Sequence, residues 1–217
     1  MKRMRVTMPL VAVLCGSLIM TACGAGGTTT GTSGNTSKVT TTTASTATPK
    51  PKPSTVPQIT LPFCQSVLTV AEANQIMQPA TPATRIAVST QTDQGACHYL
   101  PAQGSYSVVS IFFSAYSGPN PIPMSVLTEN ATEAAANLGA DGGSITTATT
   151  VSGVGDQAAF VAMNAKANGV TVKADVFFVL YGTVLSNCYV ISLGSLPPDA
   201  TEQARLQQCA KHVVSAL

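Results

Sequence analysis

Large apolar side chains are distributed unevenly along this chain of 217 residues. One continuous apolar run extends from Met8 to Met20, and residues 24–60 then contain almost no large apolar side chain. From residue 62 onward, apolar positions recur with the period of two typical of strands or the period of 3.6 typical of helices. The pattern therefore predicts three segments, which are a targeting signal at 1–22, a linker at 23–61 and one folded domain at 62–217.

The periodic segments of the domain predict both helices and strands. Thr69 and Glu72 have the spacing of a capping box, and Asp199 and Glu202 repeat that spacing at the start of the last helix. An apolar stripe predicts a further helix between them. The predicted helices are 69–78, 124–138 and 199–216, and the predicted strands are 84–90, 95–101, 105–115, 145–151, 157–167, 170–181 and 184–193.

Two predicted turns connect the last three strands. Asn168-Gly169 is a type I′ hairpin signal, and Gly182-Thr183 fits a type II′ turn, so these strands form an antiparallel meander. The strand at 105–115 is apolar on both faces, which is typical of a strand inside a sheet. The predicted fold class is therefore α+β, an antiparallel sheet with its helices packed on one face.

The N-terminal apolar run has the features of a lipoprotein signal peptide. It has 13 residues after three cations, whereas a bilayer-spanning helix needs about 20. Met20-Thr21-Ala22-Cys23 supplies the small residues and the cysteine of a lipobox, although leucine is more usual at its first position. We expect cleavage before Cys23 and lipidation of its thiol, with palmitate among the attached chains. Diacylation makes a firm tether, because a single chain holds only marginally.

Four cysteines remain after the signal peptide and Cys23 are set aside. An even number in an oxidising compartment predicts disulfides, and three pairings are possible. We favour Cys64–Cys97 and Cys188–Cys209, one bridge in each half of the domain. Zinc ligation is the alternative, but the C-x-x-C and H-x-x-x-H spacings of zinc sites are missing.

Charge and composition divide at the same boundary as hydrophobicity. The Thr-, Ser-, Gly- and Pro-rich linker is predicted to be disordered, because it has too little apolar surface to bury. It holds Lys38, Lys50 and Lys52 and no acid, whereas residues 61–217 hold five basic and nine acidic residues. An acidic domain with scattered cations lacks the basic footprint of a nucleic-acid-binding protein. The expected partners are the membrane, through the lipid, and an envelope ligand or protein.

No signature of catalysis, cofactor binding or metal binding emerges from the domain sequence. Residues 153–158 match the glycine spacing of a dinucleotide-binding fingerprint, but a strand is predicted after them, where the fingerprint needs a helix. The two histidines are interpreted as a strand residue, His98, and a helix-end cation, His212. The candidate ligand contacts are His98, with Asp93 or Asp156 if their turns converge. Phe177 and Tyr181 are further candidates, which are expected to line a groove if the helices cover only one side of the sheet.

Two pairs of charged residues are expected to be solvent-exposed. Glu129 and Glu133 lie four residues apart on an Ala-rich helix, where such a pair is typical of a solvated face. Lys173 and Asp175 alternate along a strand and are predicted to form an exposed ion pair on its outer face, which contributes little to stability.

Several short motifs resemble a large set of cell-envelope lipoproteins of Gram-positive bacteria, common in actinobacteria, that carry a domain of unknown function. The resemblance covers roughly residues 62–217. It implies an antiparallel sheet with packed helices, broadly like PsbP-type folds, and no established catalytic residue. Relatives often have Trp where Tyr99 stands, and many lack the second cysteine pair. The shared motifs are Phe63-Cys64, Leu68-Thr69-x-Ala71-Glu72-Ala73, Cys97-x-Tyr99 and Gly153-Val154-Gly155-Asp156-x-Ala158.

These observations favour a lipoprotein on the extracytoplasmic face of the cell membrane. Its domain is expected to be a non-catalytic binding or accessory module of the envelope. Two alternatives remain. One is a structural or protein-partner accessory factor with no ligand site, and the other is an envelope hydrolase that uses acids such as Glu72, Asp93 or Asp156.

Overall fold

A seven-stranded antiparallel sheet forms the centre of the computed structural model. The structure describes residues 51–79, 81–103, 109–137, 141–167, 170–193 and 198–217. The strand order is β1-β2-β3-β7-β6-β5-β4. The helices are α1 (Leu61–Val67), α2 (Val70–Met77), α3 (Met124–Asn137) and α4 (Asp199–Ala216), and the strands are β1 (Arg85–Gln91), β2 (Gln94–Leu100), β3 (Val109–Ala115), β4 (Asp141–Val151), β5 (Gln157–Ala167), β6 (Val170–Tyr181) and β7 (Val184–Leu193).

The predicted strands and the three predicted helices are all present, and β5, β6 and β7 form the predicted meander. Gly182 has the positive φ, 61°, that a type II′ turn requires at its first central position. Helix α1 was not predicted. It begins after Thr60, whose hydroxyl accepts a hydrogen bond from the Phe63 amide. The Asn168-Gly169 turn lies outside the described residues, as do Cys23 and residues 1–50.

Helices cover both faces of the sheet, so the prediction of helices on one face is wrong. Helices α1, α2 and α4 pack together on one face, with α4 against β6 and β7, whereas α3 lies on the opposite face against β4, β5 and β6. The alternation along β5 and β6 explains this arrangement. Phe160 and Phe177 point toward α4, while Val161 and Phe178 point toward α3, and all four are buried. Both faces of these strands are apolar and therefore need a cover.

The first predicted disulfide is present in the α1–α2 half of the core. Cys64 on α1 is bonded to Cys97 on β2, with a Cα–Cα distance of 5.6 Å. Beside it, the hydroxyl of the buried Tyr99 donates a hydrogen bond of 2.9 Å to the Leu68 carbonyl. The bridge therefore connects α1 to β2, and the buried hydrogen bond connects the segment between α1 and α2 to the same strand.

Residues 52–60 pack against the domain, although their composition assigned them to the linker. Ile59 is 4 % exposed and lies over Gly95, where an added Cβ would come within 2.6 Å of its side chain. The Pro53 carbonyl accepts a hydrogen bond of 3.1 Å from the Thr183 amide in the β6–β7 turn. We call residues 52–60 the strap. Within the described residues no helix combines the length and apolar character needed to cross a bilayer.

Candidate functional site

Three of the five candidate ligand contacts lie at one end of the sheet. Asp93 is in the β1–β2 turn, Asp156 precedes β5, and Tyr181 ends β6. The β2 and β5 strands are separated by β3, β7 and β6, so at ~4.8 Å per strand spacing Asp93 and Asp156 are ~19 Å apart. The two turns share an end of the sheet but do not converge on one pocket.

Asp156 holds the strap instead of a ligand. Its carboxylate lies 2.6 Å from the Lys52 ammonium and accepts a hydrogen bond of 2.9 Å from the Gly182 amide. Partial burial opposes ionisation, but the hydrogen bonds from Lys52 and Gly182 outweigh it and lower the pKa of Asp156. The Gly153–Asp156 segment is a turn followed by β5, with positive φ at Gly153 and Gly155. It therefore lacks the helix that a dinucleotide fingerprint needs.

Phe177 is completely buried between the sheet and α4, so the prediction that it contacts a ligand is wrong. That prediction depended on helices covering one face only, and the observed fold covers both. Tyr181 is partly exposed at the end of β6, beside the β6–β7 turn to which the strap is hydrogen-bonded. It remains accessible but belongs to the surroundings of the Lys52–Asp156 pair.

His98 lies on the sheet face opposite Tyr99 and is held by two serine hydroxyls. Its Nε2 is 3.1 Å from Ser89 Oγ on β1, and its Nδ1 is 3.1 Å from Ser110 Oγ on β3. Its ring packs against Phe112 in a T-shaped arrangement, with the ring centroids 5.6 Å apart. Burial lowers the pKa of His98, so the imidazole is neutral near pH 7. Both ring nitrogens therefore have partners within the sheet.

A cluster of buried charges lies where α4 begins, and sequence reasoning missed it. Lys173 and Asp175 are 3 % and 0 % exposed, so the prediction of an exposed pair on an outer strand face is wrong. Both side chains point toward α4, whose first residue, Asp199, places its carboxylate 2.6 Å from Lys173 Nζ. Helix α4 thus supplies the cover and the counter-charge that the strand sequence alone does not reveal.

The same cluster explains why the predicted capping box of α4 does not form. The N-cap is Pro198, with no side-chain hydrogen bond. The Asp199 carboxylate is bound by Lys173 and by the Thr147 hydroxyl, and these hydrogen bonds lower its pKa. Glu202, almost fully buried, forms an ion pair of 2.9 Å with Arg205 instead of capping the helix.

Asp175 is a buried carboxylate in the middle of this cluster. Neither of its carboxylate oxygens accepts a hydrogen bond from the described residues, and Lys173 Nζ is 3.5 Å away. Burial raises the pKa of Asp175 to about 7, opposed in part by the charge of Lys173. Burial also raises the pKa of Glu202, against the effect of Arg205. The pKa of Asp175 therefore lies near neutral pH although its carboxyl group is inside the core.

The groove beside α3 has more of the geometry of a binding site. It has a volume of about 390 Å³, and Thr128, Glu129, Thr132, Glu133 and Ile145 line it. Ile145 on β4 is 41 % exposed, which makes it one of two large apolar side chains that the described surface exposes to this degree. Glu129 and Glu133 are exposed as predicted. Thus the groove has an apolar side on β4 and an acidic rim on α3.

The sequence showed the acidic residues and the apolar residue of this groove separately, but it did not predict that they lie side by side. The Glu129–Glu133 spacing was visible, and Ile145 is an isolated large apolar residue on a Thr-rich strand. Their proximity depends on α3 packing against β4, which no local pattern reveals. Within the described residues, no three His, Cys, Asp or Glu side chains come together as metal ligands.

The chain matches no protein-family model and no curated protein. Among solved structures it is similar to a protein of unknown function from Pseudomonas aeruginosa, with 11 % sequence identity and a TM-score of 0.32. That match covers 61 % of this chain and 83 % of the Pseudomonas protein.

Proposed function

We propose that this chain is an extracytoplasmic lipoprotein, tethered to the cell membrane by lipid on Cys23, whose domain is a non-catalytic binding or accessory module of the envelope. The observation that carries the proposal is the fully buried Cys64–Cys97 disulfide. Structural disulfides persist in oxidising compartments outside the cytoplasm, which is where a lipobox cysteine directs a chain. The resemblance to actinobacterial envelope lipoproteins is part of the same proposal.

The non-catalytic part of the proposal is supported by how the candidate catalytic groups are used. Glu72 and Thr69 form the capping box of α2, in which the Glu72 carboxylate accepts a hydrogen bond from the Thr69 amide and the Thr69 hydroxyl accepts one from the Glu72 amide. Asp156 binds the strap through Lys52, and both nitrogens of His98 are occupied by serines. A general acid or base must reach a proton on the substrate. These groups instead hold the fold together.

We further propose that Cys188 and Cys209 form the second disulfide in the oxidised protein. In the structure both cysteines are free thiols, so this predicted bridge is not formed there, but their sulfurs are 2.8 Å apart and both residues are completely buried. A bond of ~2.05 Å requires the sulfurs to approach by under about 1 Å. Burial and the neighbouring Cys209 thiol raise the pKa of the Cys188 thiol well above its usual range. Bond formation therefore belongs to oxidative folding, before the core closes.

The anchoring proposal is tested by metabolic labelling with an alkyne analogue of palmitate in an actinobacterial host. We expect the full-length chain to incorporate the label and to fractionate with membranes, and Cys23→Ser to lose both properties. Cys15→Ser is the matched control, because Cys15 is removed with the signal peptide. An unlabelled wild-type chain, or equal labelling of Cys23→Ser, contradicts the proposal.

The thiol proposal is tested by alkylation and intact mass measurement of the exported protein. We expect no alkylated cysteine without reductant and alkylation of Cys64, Cys97, Cys188 and Cys209 after reduction under denaturing conditions. Two alkylated cysteines without reductant, mapped to Cys188 and Cys209 in unfolded protein, would contradict the second disulfide and leave the first intact.

A further inference from the structure

Strand β4 is an edge of the sheet, and its outer side has no neighbour among the described strands. Its register against β5 is shifted at Asp141/Ser144 and at Ile145/Thr147, but the pairing from Thr147 to Val151 is regular. An exposed edge presents unpaired amides and carbonyls to any chain that can extend the sheet. Proteins commonly protect such edges with lysine or proline. The Thr147–Val151 segment contains neither residue.

The opposite edge of the sheet differs from β4. Strand β1 has seven residues against eleven in β4, begins at Arg85, and is contacted by α1. On β4, the side chains of Ala148 and Thr150 are exposed on the face toward α3, in line with Ile145. Of the two edges, β4 therefore offers the longer and less protected place for an added strand.

The charges beside β4 indicate which side chains an added strand would carry. Helix α3 packs over β4 and β5, so alternate side chains of an added strand would lie along its outer flank. Glu129 and Glu133 line this flank, and neither pairs with a cation among the described residues. Asp156, Asp199 and Glu202 each have a lysine or arginine partner. The unpaired acids complement a strand that carries basic side chains on the same face.

We propose that the β4 edge and the α3–β4 groove bind an extended, basic polypeptide segment of another envelope protein by β-strand addition. Backbone hydrogen bonds to Thr147–Val151 provide the pairing, Ile145 packs against the stem of a long side chain, and Glu129 and Glu133 bind its cationic end. This inference names a partner class for the binding module proposed above and rests on that proposal.

The test uses the full-length chain in mild detergent and a fluorescein-labelled, end-capped peptide of about eight residues in which lysine and valine alternate. Fluorescence anisotropy measures binding, and a glutamate–valine peptide is the charge control. Two further peptides carry N-methyl groups on all lysine amides or on all valine amides. Each modification blocks one edge of the peptide strand and leaves the other free, because successive amides point to opposite edges.

We expect the lysine–valine peptide to bind, the glutamate–valine peptide not to bind, and only one of the two N-methylated peptides to lose binding. The Glu129→Gln/Glu133→Gln variant should bind about fivefold more weakly, while Asp93→Asn, a matched exposed acid, should bind as the wild type does. Hydrogen exchange should slow at Thr147–Val151 when the peptide binds.

Several outcomes would overturn strand addition. Equal effects of the two N-methylated peptides would show that no single edge is used, and unchanged affinity in Glu129→Gln/Glu133→Gln would remove the acidic rim from the site. Absence of binding by the lysine–valine peptide also overturns it. None of these results alters lipid labelling at Cys23, so failure of this inference is distinguishable from failure of the proposed function.

Discussion

Two lysine–aspartate pairs at opposite ends of the sheet have the same N–O distance and very different surroundings. Lys52 Nζ and Asp156 Oδ1 are 2.6 Å apart, and their side chains are 58 % and 24 % exposed. Lys173 Nζ and Asp199 Oδ1 are also 2.6 Å apart, and their side chains are 3 % and 34 % exposed, so the difference between the pairs lies in the lysine. The first pair attaches the strap to the sheet, and the second connects β6 to the start of α4.

The difference shows that burial, more than distance, decides what an ion pair contributes. Water and salt screen the Lys52–Asp156 attraction, so breaking that pair leaves two groups that solvent can hydrate. Breaking the second pair leaves the Lys173 ammonium inside the core, where hydration is lost, although Asp199 itself stays partly hydrated. The strap pair therefore positions a segment, whereas the buried pair is part of the stability of the domain.

Replacing the buried lysine should give the largest effect. We expect Lys173→Met to lower the free energy of unfolding by about 3 kcal/mol, because it leaves Asp175 and Asp199 without their shared cation. Urea denaturation followed by circular dichroism measures this loss. Lys211→Met, an exposed lysine on α4, is the control and should remain close to the wild type. Equal stability of Lys173→Met and Lys211→Met would contradict a structural role for the cluster.

The pH dependence of stability should identify Asp175. The pKa of Asp175 is about 7 in the folded state and about 3.9 in the unfolded state. Between these pH values the folded state binds one more proton than the unfolded state. The contribution of Asp175 to stability therefore falls as the pH rises from about 4 to about 7. Asp175→Asn removes the ionisation but leaves a buried amide. We therefore expect it to stabilise the domain by about 2 kcal/mol at pH ~8 relative to wild type.

The control for this variant is the same stability measurement at acidic pH. Near pH 4 to 5 Asp175 is protonated in the folded wild type, so Asp175→Asn should give little or no stabilisation there. Unfolding curves at several pH values measure how the difference in stability between Asp175→Asn and wild type changes with pH. A stabilisation that does not change with pH would show that Asp175 is not the group that takes up the proton.

The comparison of the two pairs also explains which parts of the structure the sequence could predict. Local patterns identify β6 as a strand and Asp199 as a helix start, because period and helix-start signals act over a few residues. They interpret Lys173 and Asp175 as exposed, since alternating polar residues usually face solvent. Their burial results from α4, which begins 24 residues after Asp175 and returns over the same strand. Such contacts are absent from any local pattern.

The other correct and incorrect sequence predictions also separate into features set by local patterns and features set by the topology. The Cys64–Cys97 bridge was predicted because few pairings were possible, whereas placing helices on one face required a topology that patterns do not specify. Helix α1 had local signals that we missed, namely Thr60 as N-cap and Pro62 in its first turn. The α3–β4 groove combines residues from two elements, so the sequence shows its acids and Ile145 separately.

The strap can be weakened without changing a charge. Gly182 has a φ of 61°, and an added Cβ would collide with the Pro53 carbonyl. Gly153 has a φ of 80° and nothing within 4 Å of the same position, so Gly153→Ala measures backbone strain alone. We expect Gly182→Ala to cost about 1 kcal/mol more than Gly153→Ala in urea denaturation. Equal losses of stability in the two variants would mean that the strap moves away from the added methyl group at Pro53 without an energetic penalty.

The smallest effect is expected from the exposed pair itself. Lys52→Met removes the Asp156 partner but keeps the Pro53–Thr183 hydrogen bond, so the strap should stay in place and stability should change least among these variants. Because the attraction is screened, the difference between Lys52→Met and wild type should vanish in about 1 M NaCl, whereas the Lys173→Met deficit should persist. Thermal unfolding at low and high salt measures both variants. A salt-independent loss in Lys52→Met would mean that the lysine stem packs on the sheet, and the two pairs would then differ less than their exposure indicates.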